Sequence, residues 1–254
     1  MAIFQCNFRS KVLSMQTNVT IILPENDGLT SSNYEGKFKT LYLLHGLSDD
    51  HTTYTRYTNI ERYACQRNLA VVMPAFDHSF YTDMLHGHKY FTFLHDELWN
   101  FLSNVFPLSK KKEDNFIAGN SMGGYGSFKY ALTFPERFAA AASMSGVMDI
   151  NYIGKRGVLE GFNPKSIYGD LSDLTGTEND LYYLLQKSVD NQISLPKLLQ
   201  VCGTEDYLYK DNVDFKEFAE CLPIDFQYEE SPGYHDWNYW EKSIQSIIKW
   251  LPID

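Results

Sequence analysis

Short strand-like runs alternate with helix-like segments along almost the whole chain, and this alternation constrains the fold more than any other feature. Thr40 to Leu44, Leu69 to Pro74, Asn115 to Ala118, Phe138 to Ser143 and Leu198 to Cys202 are nearly continuous apolar runs of strand length. Such runs read as strands buried on both faces. Thr58 to Asn68, Lys89 to Val105, Met122 to Phe134 and Asp211 to Cys221 space their apolar residues as helices do. Ile224 to Tyr228 reads as a last strand, and an amphipathic helix carrying Trp237, Trp240, Ile244, Ile247, Ile248 and Leu251 closes the chain. Strands separated by helices imply right-handed crossovers and a mostly parallel sheet with helices on both faces. The β-rich run Thr17 to Leu23 is joined to the next strand by a turn-forming stretch, Glu25 to Gly36, with no helix between them. That predicts an antiparallel N-terminal edge. No repeat or composition break divides the chain, so one domain over residues 1–254 is expected. Met148 to Asn191 is the exception to the rhythm. It is long and turn-rich, and is expected to be a lid or pocket wall.

At one strand-to-helix junction the sequence reads Gly119-Asn120-Ser121-Met122-Gly123-Gly124-Tyr125-Gly126. A Gly-x-Ser-x-Gly motif carries meaning in that position. A nucleophile elbow lifts a serine hydroxyl above the sheet on a sharp turn, and side chains two residues before and after would collide. Gly119 and Gly123 meet that requirement. The helix that follows aims its N-terminus at the site, which favours developing negative charge.

A serine hydroxyl is a weak nucleophile without a base and an orienting carboxylate. In α/β-hydrolases the chain order is serine, acid, histidine. Of the seven histidines only His235 follows Ser121, and it lies in a loop between the last strand and the last helix. The acid is expected after a strand end. Val201-Cys202-Gly203-Thr204-Glu205-Asp206 fits, with Asp206 as the choice and Glu205 as its neighbour. Asp211 reads as a helix cap. Two backbone N–H groups complete an oxyanion hole: Met122, after the nucleophile, and Leu47, in the loop His45-Gly46-Leu47-Ser48. Gly46 lets that loop come close, and His45 is expected to brace it.

Composition bounds the rest. The net charge of −10, from 22 basic and 32 acidic residues, argues against nucleic-acid binding. Lys110-Lys111-Lys112 runs directly into Glu113-Asp114 and reads as a solvated loop. Cys6, Cys65, Cys202 and Cys221 show neither a disulfide framework nor zinc spacing. The N-terminal residues lack a basic n-region followed by an apolar h-region, and the longest apolar stretch, Phe138 to Met148, is too short to span a bilayer. A cytoplasmic protein without membrane partner, metal or cofactor is expected. His78, His86, His88 and His95 cluster, but no ligand set completes a metal site. Phe80, Tyr81, Tyr90, Phe91 and Phe93 read mainly as core, with some flooring a pocket. Asp83 is a candidate for binding substrate hydroxyls. Trp237 and Trp240 are expected to pack on the sheet and hold the His235 loop.

The segments LYLLHGLSD, NLAVVMPAFDHSFYTDM, FIAGNSMGGYGSFKYAL, CGTEDYLY and YHDWNYW resemble the esterase D-like α/β-hydrolases, a group that includes tributyrin esterases, feruloyl esterases and S-formylglutathione hydrolases. The tributyrin esterase branch is the most similar. The resemblance implies the α/β-hydrolase fold, with Ser121, Asp206 and His235 as triad and Leu47 and Met122 as oxyanion donors. It further implies short-chain acyl esters as substrates, acetylated sugars among them, and allows a homo-oligomer. S-formylglutathione hydrolases tend to carry a cysteine just after the oxyanion-loop glycine, where this chain has Ser48-Asp49-Asp50. A thioesterase of that type, a feruloyl esterase and an acyltransferase are the alternatives within the fold, and a non-catalytic binding protein is the alternative outside catalysis.

Overall fold

The computed structural model describes residues 1–25, 36–151, 153, 162–171 and 174–253. Eight strands form one sheet: β1 (Ala2–Ser10), β2 (Met15–Leu23), β3 (Lys39–Leu44), β4 (Leu69–Pro74), β5 (Asn115–Asn120), β6 (Ala140–Met144), β7 (Lys197–Gly203) and β8 (Phe226–Ser231). Their order is β1-β2-β4-β3-β5-β6-β7-β8. From β4 to β8 every pairing is parallel, while β2 is antiparallel to both β1 and β4. This is the α/β-hydrolase arrangement with an antiparallel N-terminal edge.

The edge differs in detail from the expectation. The run Thr17 to Leu23 neighbours β4, not β3, and its hairpin partner β1 was not expected at all. On β1 only alternate residues pack inward. Phe8 stacks on Phe101 at 4.1 Å between ring centroids, and Phe4 meets Phe106 edge-on at 5.5 Å. Gln5, Asn7 and Arg9 between them suit an exposed edge strand. Of the expected turn Glu25 to Gly36, residues 26–35 lie outside the described residues.

Strand residues alternate between two apolar layers. Ile21, Tyr42, Leu44, Val72, Ile117 and Leu198 face one, and Ile22, Leu41, Leu43, Val71, Ala118 and Leu199 face the other. Period-two side chains on a sheet covered on both faces produce this division. On the second face lie α1 (Thr53–Tyr57), α2 (Ile60–Gln66) and the C-terminal helix α9 (Trp237–Trp250). The first face is covered by α5 (Met122–Thr133) and α8 (Tyr209–Glu220). A compound helix joins them there, made of α3 (Tyr90–Thr92), a π-helical stretch (Phe93–Leu98) and α4 (Trp99–Val105).

Two further helices lie within the Met148 to Asn191 segment, which reads as turn-rich in sequence. They are α6 (Pro164–Tyr168) and α7 (Leu181–Asp190). Asn163 and Asp180 cap them, each side chain accepting a backbone N–H of the first turn. Leu181, Leu184, Leu185 and Ser188 form the buried stripe of α7. Residues 152, 154–161 and 172–173 of the segment lie outside the described residues. Among the described residues no helix is long and apolar enough to cross a membrane.

Candidate active site

The site lies beyond the carboxyl ends of β3, β5, β7 and β8, where open parallel sheets bind ligands. Pairing holds those ends level: Leu44 is opposite Gly119, Asn120 opposite Met144, and Gly203 opposite Ser231. Each strand then delivers one part of the site. The β3 end leads into His45 to Asp49, β5 into Ser121, β7 into Asp206, and β8 into His235.

Ser121 occupies the left-handed region, at φ +53° and ψ −116°, between the end of β5 and the first turn of α5. Such a conformation persists only where the surroundings enforce it. Here Ser121 N–H donates to Met144 O at 2.8 Å and Ser121 O accepts from Tyr125 N–H at 3.1 Å. The flanking glycines are a steric necessity. A Cβ on Gly119 would lie 2.4 Å from Gly123 O, and one on Gly123 would lie 2.2 Å from Leu44 O.

Ser121, His235 and Asp206 come together. Asp206 accepts from His235 Nδ1 at 2.9 Å through Oδ2 and at 3.0 Å through Oδ1. An ionised carboxylate can only accept, so the imidazole proton sits on Nδ1 and Nε2 is left as an acceptor. Ser121 O–H, 2.9 Å away, donates to that Nε2. The Asp206 side chain is fully buried, and Leu208 N–H also donates to it at 2.8 Å. Glu205, one residue earlier, is used differently: its carboxylate accepts Gly233 N–H and staples the β7 turn to the histidine loop. Trp240 stands edge-on to His235 at 4.9 Å and donates through Nε1 to Ser145 Oγ at 3.2 Å. Trp237 stacks on Tyr57 at 5.3 Å. Trp240 thus supports the histidine loop directly, while Trp237, edge-on to Trp240 at 5.1 Å, packs between it and α1.

His45 braces the other loop. Phe76 N–H donates to Nε2 at 2.9 Å, so the proton must sit on Nδ1, which donates to Gly46 O at 2.7 Å. Burial pushes its pKa down to about 4, which keeps the ring neutral in this network. Met122 opens α5, where the first N–H groups of a helix have no intrahelical acceptor. A cavity of about 620 Å³ lies over Ser121. Leu47, Asp49, Phe80, Val147, Phe162 and Trp237 are among its lining residues. Burial holds the Asp49 carboxyl above the usual carboxylate range.

A serine bonded through histidine to a buried carboxylate, with the serine lining an apolar cavity, suits acyl transfer. Comparison with known proteins agrees. The model of the Esterase family ("Putative esterase") matches residues 10–251. The chain belongs to this esterase family. An acetyl esterase of Caldicellulosiruptor saccharolyticus is 34% identical to it, over 99% of this chain and 98% of the relative. The solved fluorophosphonate-binding serine hydrolase F of Staphylococcus aureus superposes on the esterase with a TM-score of 0.95, at 44% identity, over 100% of this chain and 99% of that one. An S-formylglutathione hydrolase from the same organism superposes with a TM-score of 0.91, at 45% identity, over 98% of each chain. The protein is a carboxylic ester hydrolase of the esterase D-like group.

Some expectations for the esterase need correction. Asp83 does not face the cavity. Its two oxygens accept Thr92 N–H at 2.9 Å and Thr92 O–H at 2.6 Å, holding the start of the compound helix. Asp211 is not a cap: Leu208 holds that position and Asp211 sits within the first turn of α8. The four clustered histidines diverge. His78 meets Phe162 edge-on, His88 meets Tyr90, and His95 packs on Phe91 and Phe134, while His86 N–H donates to Ser166 O. Among the described residues no three His, Cys, Asp or Glu side chains are grouped to hold a metal.

Two buried features escaped the sequence reading. Tyr54 donates to Asn120 Oδ1 at 2.9 Å beneath the elbow. Lys129 on α5 is buried, with its ammonium on Thr82 Oγ1 at 2.8 Å and Asn179 Oδ1 at 2.7 Å. A lysine at a core-facing position of an otherwise apolar helix was the signal available for the second.

Proposed function

We propose that this esterase hydrolyses short-chain acyl esters, acetyl to butyryl and including acetylated sugars, through an acyl-enzyme on Ser121. The observation that carries the reading is the continuous hydrogen-bond chain from Ser121 Oγ through His235 to the buried Asp206, with Ser121 and His235 lining the cavity. Ser121 Oγ attacks the ester carbonyl while His235 Nε2 takes its proton. Asp206 keeps the imidazole in the required tautomer and stabilises the imidazolium. Leu47 and Met122 N–H groups hold the oxyanion as it forms. His235 then returns the proton to the leaving alcohol, and water repeats the sequence on the acyl-enzyme to release the acid.

The apolar lining from Phe80, Val147, Ile153 and Phe162 supports a small acyl group. Ile153 and Phe162, which line the cavity, also support reading the 148–191 segment as a pocket wall within one catalytic domain over 1–254. The acetyl esterase relative supports the acetyl end of the range. A second reading, hydrolysis of thioesters, is favoured by the likeness to an S-formylglutathione hydrolase at 45% identity. Matched S-acyl and O-acyl substrates of equal chain length separate the two by kcat/KM.

The test is hydrolysis of p-nitrophenyl acetate, butyrate and octanoate by wild type and Ser121→Ala. Turnover by wild type that falls at least about 10³-fold in the variant supports the mechanism. A variant that keeps full activity removes Ser121 from it, and fastest turnover of octanoate overturns the short-chain reading.

A further inference from the structure

The turn between β4 and the compound helix carries three non-glycine residues in the left-handed region: Asp77 at φ +51°, Phe80 at +47° and Tyr81 at +52°. Such strain gathers where a site must be held in shape. The Tyr81 side chain gives the reason for it. Its ring is fully buried and lies 4.6 Å from the Phe76 ring, centroid to centroid. It also fills the space over Gly126 on α5, where a Cβ would come within 2.5 Å of the ring. Its hydroxyl donates to His45 O at 2.8 Å. The side chain therefore runs from the strained turn, across a gap in the elbow helix, to the loop that carries Leu47.

His45 is held at three points. Phe76 N–H reaches its Nε2, Tyr81 O–H reaches its carbonyl, and its own Nδ1 reaches Gly46 O. In a planar trans peptide the C=O and the following N–H point in opposite directions. Gly46 O is fixed by His45 Nδ1 at 2.7 Å and by Asp49 N–H at 3.2 Å. Fixing that oxygen fixes the direction of Leu47 N–H. Tyr81 acts one peptide earlier, on His45 O, and so orients the unit that carries Gly46 N–H.

We propose that Tyr81 is a positioning residue for the oxyanion donor: its hydroxyl holds the His45–Gly46 peptide so that Leu47 N–H meets the developing oxyanion, and residue 126 is glycine to admit its ring. This rests on the reading of Leu47 as an oxyanion donor. The same turn carries Phe80, which lines the cavity, so one strained segment sets both the acyl wall and the donor.

Tyr81→Phe keeps the ring and removes the hydroxyl, while Gly126→Ala keeps the hydroxyl and displaces the ring. For each variant the readouts are kcat and KM on p-nitrophenyl butyrate, Ki for a butyl trifluoromethyl ketone, Ki for 1-butanol, and the thermal midpoint. The ketone forms an oxyanion with the serine, whereas butanol fills the cavity without one. Tyr81→Phe is expected to lower kcat about ten-fold with KM within about two-fold. The ketone Ki rises by the same factor and the butanol Ki stays put. Gly126→Ala follows the same pattern with a larger loss. A Tyr81→Phe enzyme with wild-type kcat and ketone affinity overturns the proposal. Equal weakening of ketone and butanol overturns it too, because it marks a merely structural role. If one variant does not fold, the other decides by the same ratio of ketone to butanol effects. Wild type that neither hydrolyses the ester nor binds the ketone sinks the oxyanion reading itself, an outcome distinct from failure of the Tyr81 proposal.

Discussion

Gly123→Ala tests whether the elbow geometry controls the rate. A Cβ at residue 123 would lie 2.2 Å from Leu44 O, 2.6 Å from Leu44 C and 2.8 Å from His45 O. Ordinary contact begins near 3.4 Å, so the nearest approach is about 1.2 Å too close. Every atom met is backbone, so no side-chain rotation relieves the clash. The start of α5 must move away from the end of β3. Met122 N–H travels with the helix, whereas Leu47 N–H stays with the β3 loop. A relative displacement of about 1 Å at reacting groups costs about 10² in rate. Overpacking of this kind costs about 1–3 kcal/mol in stability, a loss of several degrees in the midpoint for a chain this size. The assay is kcat/KM on p-nitrophenyl butyrate beside a thermal scan. Gly176→Ala is the reference: its Cβ meets nothing within 4 Å, and its φ of +73° costs stability alone. Gly123→Ala with kcat/KM within about three-fold of wild type would show that the elbow geometry does not set the rate.

Two further predictions concern buried titratable groups. His45 has its pKa lowered by burial from 6.5 to about 4, so below pH 6.5 the unfolded chain binds a proton that the folded chain refuses. Stability therefore falls as pH drops through this window, by about 3 kcal/mol, and His45→Asn should flatten that part of the midpoint-versus-pH curve; an unchanged slope contradicts it. Lys129 has its pKa lowered by burial from 10.5 to about 7, with neutral hydrogen-bond partners in Thr82 and Asn179. The unfolded chain holds that proton to higher pH, so this group's contribution to stability rises between pH 7 and 10.5. The stability difference between wild type and Lys129→Met should move in favour of wild type by a few kcal/mol over that range, and denaturant melts showing a constant difference would rule it out.

The parallel core of the sheet was legible because strands buried on both faces leave uninterrupted apolar runs, as in Leu69 to Pro74 and Thr40 to Leu44. The edge strand β1 was not, because along it only Cys6 and Phe8 are partly buried between the polar Gln5, Asn7 and Arg9, while Ile3 and Phe4 are exposed. In the 148–191 segment, helices α6 and α7 were hidden by their own caps: Asn163-Pro164 and Asp180 look like turn residues until the following turn of helix is seen. The site residues were chosen by chain order and by their positions after strand ends, which a one-dimensional string preserves. What it does not preserve is contact between distant segments. Nothing in the local sequence of Tyr81 shows that its ring lies over Gly126, and nothing around Glu205 shows that it holds Gly233. Asp83 misled for the same reason, since an acidic residue near aromatics carries no mark of the helix start it serves.

In the proposed mechanism Ser121 is the nucleophile, activated through His235. That role is tested most directly by treating the enzyme with a fluorophosphonate and mapping the adduct by peptide mass spectrometry, in wild type and in His235→Ala. A single adduct on Ser121 is expected in wild type, with labelling slowed by orders of magnitude when the histidine is removed. An adduct on another residue, or equal labelling of both proteins, would contradict it.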